Sequence, residues 1–124
     1  MSLSDLHTPW PAIERRLQAA ADADVAVALY NPRSRGRAGH LGKALAIIGA
    51  QRPPSTPVGL VRDATRPGER VTVTTLAAVG PSGVGVGGGV LEQVDMLTVV
   101  IVGSSTTRVV DGHMVTPRGY RWLV

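Results

Sequence analysis

Apolar and polar positions alternate along this chain in runs whose period switches between that of a helix and that of a strand. From Pro9 to Asp24, Ile13, Leu17, Ala20 and Ala21 recur at helical spacing while Arg15, Arg16 and Gln18 take the wet face. Thr8 stands where a hydroxyl can cap this helix, with Pro9 in the first turn, where a missing N–H costs nothing, and Asp22 to Asp24 close it. Val25 to Tyr30 is apolar without alternation, the pattern of a short strand buried on both faces, and Asn31-Pro32 stops it. After the polar loop Arg33 to Gly39, Leu41, Leu45 and Ile48 share one face of a second helix that ends near Gly49, ahead of Pro53-Pro54. Val58 to Val61 and Arg70 to Thr75 read as strands separated by a turn at Arg66-Pro67-Gly68. Leu97 to Val102 is the strongest strand signal, ended by Gly103. Thr107 to Val110 and His113 to Val115 predict a hairpin, because Asp111-Gly112 between them can supply the positive φ angles of a tight turn.

Strands alternating with helices early and a hairpin late predict an α/β fold: one layered domain over residues 1–124, with a mixed sheet of about five strands flanked by helices. The exception is Gly80 to Gly89, where six glycines in ten positions predict a flexible loop. With 124 residues, 44% of them hydrophobic, the chain can bury a core, which argues against disorder. Its longest apolar run falls far short of the roughly 20 residues that span a bilayer, and no secretory segment follows Met1. The absence of cysteine removes disulfides, thiolate metal sites and thiol nucleophiles, and fits a cytoplasmic location.

Charge narrows the partners further. Thirteen basic residues, twelve of them Arg, against nine acidic ones give a net charge of +4, which favours an anionic partner. Four aromatic residues (Trp10, Tyr30, Tyr120, Trp122) are too few for a base-stacking platform, so nucleic acid is not expected. A polyanionic small molecule fits the charge, and so does a merely solvated arginine-rich surface. Gly83, Gly85 and Gly88 spell G-x-G-x-x-G, yet no buried strand precedes them directly and no long helix follows, so the segment reads as a linker. His7, His40 and His113 lack partners at metal-ligand spacing, and no nucleophile elbow surrounds any serine. The residues alone therefore define no catalytic centre.

Two polar clusters remain, both where a strand ends, the place at which open α/β sheets collect ligands. Tyr30-Asn31-Pro32-Arg33-Ser34-Arg35 sets an amide, a hydroxyl and two guanidinium groups just past the first strand. Arg33, Arg35 and Arg37 can clamp carboxylates there, or simply be solvated. Arg62-Asp63-Ala64-Thr65 closes the strand begun at Val58, either as a ligand contact or as a turn held by Asp and Thr.

Taken in order, Thr8-Pro9-Trp10, Ile13-Glu14-x-Arg16-Leu17, Ala28 to Arg35, Arg52-Pro53-Pro54-x-Thr56-Pro57-Val58-Gly59, Thr74-Thr75-Leu76, Val94-Asp95-Met96, Val100 to Gly103 and Met114 to Tyr120 strongly resemble the precorrin-3B C17-methyltransferases of cobalamin biosynthesis, members of the tetrapyrrole methylase family. The resemblance covers nearly the whole chain and departs from the pattern at Gly80 to Gly89 and at Ser104, where Asn is expected. It extends only to the C-terminal of that family's two α/β domains. It implies, for a parent enzyme, methyl transfer from S-adenosylmethionine to C17 of precorrin-3B with ring contraction, the cofactor being held between this domain and an N-terminal methylase domain. The resemblance further implies that Tyr30, Asn31, Ala64, Leu97 and Thr98 contact the cofactor. Arg33, Arg35 and Arg37 would face the carboxylates of the tetrapyrrole, and the isolated half would be inactive, as an expressed fragment or half of a split system. The other readings are a non-catalytic anion- or nucleotide-binding module and a structural domain that forms a homodimer.

Overall fold

A computed structural model describes residues 1–30, 40–79 and 98–117. Helix α1 (Trp10–Ala23) buries Ile13, Leu17 and Ala21, and helix α2 (His40–Gly49) buries Leu41, Ala44, Leu45 and Ile48. Both apolar stripes fall where the helical period sets them. The start of α1 differs from expectation: Pro9, not Thr8, is the N-cap, and no side chain caps the helix. With prolines on both sides of Trp10 the chain turns helical only after Pro9, whose carbonyl accepts from the N–H of Ala12 (3.0 Å) and Ile13 (3.3 Å), so the Thr8 hydroxyl lies one residue too early. At the far end Asp24 adopts the left-handed conformation (φ 55°), and its N–H closes back on the last turn.

Four strands, β1 (Val27–Leu29), β2 (Pro57–Arg62), β3 (Arg70–Thr75) and β4 (Thr98–Val102), form a sheet in the order β1-β4-β2-β3. Every ladder in it is antiparallel; the N-terminal residues add a parallel bridge, Ser2 to Tyr30. Directly paired residues share a face, and Val27, Leu29, Val58, Leu60, Val100 and Val102 are all buried on the same one, beneath α1 and α2. Leu3 completes that core. Val25 to Tyr30 is thus not buried on both faces. Val25 and Tyr30 are about half exposed and Ala28 is partly so, because the two long helices lie on one side of the sheet.

The opposite face is covered in part by the hairpin of β5 (Arg108–Val110) and β6 (His113–Val115), joined as expected across Asp111 (φ 50°) and Gly112 (φ 77°). Its Met114 Sδ lies 3.0 Å from where a Cβ on Gly59 would be, so the absence of a side chain at Gly59 lets the methionine of the hairpin pack directly on β2. A short helix α3 (Leu76–Val79) follows β3 directly. The Gly80 to Gly89 loop lies outside the described residues, and no described helix is long and apolar enough to cross a membrane.

Candidate functional site

The strand register gathers three of the candidate positions at one end of the sheet. Leu29 and Leu60 both sit opposite Val100, and Arg62 sits opposite Thr98. Tyr30, just past β1, therefore emerges at the same edge as Thr98, which opens β4, and as the turn after Arg62 that carries Ala64. These positions are far apart in sequence and meet only because β4 inserts between β1 and β2. Asn31 and Leu97, their chain neighbours, lie outside the described residues, as do Arg33, Arg35 and Arg37.

Each of the three offers something different. The Tyr30 backbone is already committed: its N–H donates to the Met1 carbonyl and its carbonyl accepts from the Leu3 N–H, both at 2.9 Å, which leaves its half-exposed ring for a ligand. Thr98 is 2% exposed and forms wall rather than surface. Ala64 is exposed and small, between two residues held in the left-handed region, Asp63 (φ 51°) and Thr65 (φ 66°). For a β-branched threonine that conformation is strained, and such strain concentrates at ligand-contacting turns. The turn is tied by the Arg66 N–H to the Asp63 carbonyl (3.0 Å) and by the Thr65 N–H to Glu69 Oε1 (3.4 Å). Glu69, not Asp63, thus supplies the carboxylate that holds it, a role the local sequence did not announce. Arg62 Nη1 and Asp63 Oδ2 add a loose pair at 3.9 Å.

The opposite end of the sheet carries a denser polar web that local reading missed. Arg52, 7% exposed, donates from Nη1 to the Gly103 carbonyl (2.6 Å) and from Nη2 to the carbonyls of Ala20 (3.2 Å) and Val25 (2.8 Å). It ties the end of α1 to the end of β4. Burial pulls its pKa below the ordinary value, against the attraction of Asp24. Gly103 has no room for a side chain, since a Cβ would meet Thr107 at 2.7 Å. Ser104 donates its N–H to Thr107 Oγ1 (2.8 Å), which in turn meets Thr116 Oγ1 (2.7 Å).

At the head of α2, His40 stacks on Trp10 with ring centroids 4.1 Å apart, and its Nδ1 lies 3.2 Å from the Leu3 carbonyl. Lys43 Nζ sits 5.8 Å from the Trp10 ring. This cluster anchors residues 1–5 to the core.

This arrangement of sheet and helices belongs to a known methyltransferase architecture. It superposes on the crystal structure of the methyltransferase CobJ with a TM-score of 0.80 at 34% identity, over 94% of this chain and 45% of that one. The sequence makes the class specific: it is 50% identical to a probable cobalt-factor III C(17)-methyltransferase of Salmonella typhimurium and 42% identical to a precorrin-3B C(17)-methyltransferase of Sinorhizobium sp.. Each match covers 97% of this chain and 46% or 45% of the relative, so the chain spans about half the length of the curated relatives it matches. No family model matches the chain. By sequence and by fold the chain is a homologue of the cobalt-factor III and precorrin-3B C17-methyltransferases, matching their C-terminal part.

Proposed function

We propose that this chain is the C-terminal half of a methyltransferase that methylates C17 of a precorrin-3B-type tetrapyrrole in cobalamin biosynthesis, working with an N-terminal methylase domain in the cytoplasm. The observation that carries this reading is the convergence of Tyr30, Thr98 and the Ala64 turn at one sheet edge, on a chain 50% identical to a C17-methyltransferase.

The residues at that edge suit the adenosyl group of S-adenosylmethionine. An exposed aromatic ring at Tyr30 can pack against a flat heterocycle and the small Ala64 lets it approach, while Thr98, buried with Val100 on the face beneath the helices, supports β4 behind that end of the sheet. Asn31 and Leu97, next in the chain to Tyr30 and Thr98, belong to the same set. S-adenosylmethionine supplies a methyl group activated on a sulfonium. What this chain adds is one wall for the adenosyl group and a basic loop. Arg33, Arg35 and Arg37 in that loop would bind the carboxylates of the tetrapyrrole, since guanidinium–carboxylate pairs combine charge with two parallel hydrogen bonds.

The test joins this chain to the N-terminal part of the Salmonella relative. Tyr30→Ala and Thr98→Val should weaken S-adenosylmethionine binding, whereas replacing the three arginines should raise KM for the tetrapyrrole and leave cofactor affinity nearly unchanged. Equal losses of both ligands in the arginine variants, or unaltered cofactor binding in the Tyr30 and Thr98 variants, would refute the assignment.

A further inference from the structure

Leu3, fully buried, bridges the two residues that bracket positions 31–39. Its N–H donates to the Tyr30 carbonyl at 2.9 Å, and its carbonyl lies 3.2 Å from Nδ1 of His40. A carbonyl only accepts, so Nδ1 carries the hydrogen of that bond. The preceding residues extend the contact: the Tyr30 N–H donates to the Met1 carbonyl at 2.9 Å, and Ser2 forms a parallel bridge with Tyr30. The His40 ring is 14% exposed and stacked on Trp10, with planes 19° from parallel, so it cannot turn from Leu3 without losing that stack. The charged groups around it are Asp5, whose Oδ2 lies 3.8 Å from Nε2, and Lys43, beside the Trp10 ring.

We propose that His40 is a positioning residue: through the Leu3 peptide it sets where Tyr30 stands at the ligand-facing edge of the sheet. The inference rests on the reading that packs the adenosyl group against Tyr30. The ladder between β1 and β4 ends at Leu29 and Val100, so the sheet does not fix the residue that follows. The Tyr30 backbone is held instead by residues 1–3. The Leu3 side chain is anchored in the core, but its peptide groups are oriented by two hydrogen bonds, one to Tyr30 and one to His40. Without the Nδ1 donor a buried carbonyl is left unpaired, Leu3 shifts to find a partner, and Tyr30 moves with it. Binding groups work only when held to within about 0.5 Å, so a small displacement here reaches the ligand.

Two substitutions separate this role from plain support of the fold. His40→Phe keeps a ring on Trp10 and removes the donor. His40→Asn keeps an N–H donor at the same place along the side chain as Nδ1, on a residue well suited to a helix start, and removes the stack. In the 124-residue chain, amide exchange at Leu3 and Tyr30 should quicken by about tenfold in His40→Phe and stay near its original rate in His40→Asn. The melting temperature should fall further in His40→Asn, which loses the aromatic contact. In the chimera with the N-terminal part of the Salmonella relative, His40→Phe should weaken S-adenosylmethionine binding by about three- to tenfold, and His40→Asn should largely retain it. Effects that follow the melting temperature instead, unchanged exchange at Leu3 and Tyr30 in His40→Phe, or unchanged cofactor binding by that variant would each overturn the proposal. An unaltered chimera that binds no cofactor would refute the reading at Tyr30 instead, and exchange in the 124-residue chain would still decide whether His40 holds that residue.

Discussion

Asp24 and Ser105 lie 81 residues apart in sequence, yet the Asp24 carboxylate accepts both the Ser105 N–H, at 2.9 Å, and the Ser105 hydroxyl. The C-cap of α1 is thereby fastened to the loop that follows β4. These hydrogen bonds, the hydroxyl's first and the backbone's second, hold the Asp24 carboxyl below its ordinary value of 3.8. A carboxylate depressed in the folded state contributes stability above its unfolded pKa, and that contribution disappears as pH falls through the lower folded value. Stability should therefore be level near neutrality and decline below about pH 4. Asp24→Asn keeps a residue that tolerates the left-handed turn, so it should cost about 1 kcal/mol at pH 7 and reduce the acid decline. Urea unfolding at pH 7 and pH 3 checks both effects. Some acid sensitivity should remain in the variant, because Gln51 and then Gln18 lower the Asp22 pKa in the same way.

Arg52→Lys should destabilise the chain by about 1–3 kcal/mol, although the charge is conserved. One ammonium cannot reach the carbonyls of Ala20, Val25 and Gly103 together; Ala20 keeps its bonds from the N–H groups of Asp24 and Val25, but a buried carbonyl such as that of Gly103, left unpaired, costs about 1–3 kcal/mol. The urea midpoint is the readout; a loss under about 1 kcal/mol would remove Arg52 from its role as the tie between α1 and β4.

Two glycine-to-alanine changes should move stability in opposite directions. At Gly103 the new methyl would lie 2.7 Å from Thr107 Cβ, so the loop must shift and the melting temperature should fall. At Gly49, the last residue of α2, the space is open and the backbone ordinary, so alanine should add about 0.5–1 kcal/mol. Paired thermal melts suffice. Equal shifts of the same sign would contradict the packing described for both sites.

Local periodicity announced what short-range chemistry controls. Leu41, Leu45 and Ile48 mark a helical stripe whatever the tertiary context, and Asp111-Gly112 dictates its own turn. The placement of β4 between β1 and β2 was not legible, because strand order is decided by long-range packing and leaves no mark on the strands themselves. That order is what brings Tyr30 to the same edge as Thr98. The half-exposure of Val25 and Tyr30 escapes the sequence for a related reason: an unbroken apolar run does not reveal that the two long helices cover one face only. Arg52 reads as one arginine among twelve until the fold surrounds it with three carbonyls.

The 124-residue chain by itself should hold S-adenosylmethionine only weakly. A cofactor gripped between two domains loses roughly half its contacts when one is missing, and the remainder must still offset several kcal/mol of lost translational and rotational freedom. Calorimetric titration should give a Kd of about 1 mM or weaker, equivalent to about −4 kcal/mol. Stoichiometric binding at micromolar concentration would mean that the adenosyl site is complete within this chain.

The most direct measurement is methyl transfer by a chimera in which this chain replaces the matching C-terminal part of the Salmonella relative. With labelled S-adenosylmethionine and that relative's tetrapyrrole substrate, the chimera should transfer the label to C17, and Thr98→Val should weaken its hold on the methyl donor. A chimera that folds cooperatively yet neither binds S-adenosylmethionine nor labels the tetrapyrrole would contradict the account.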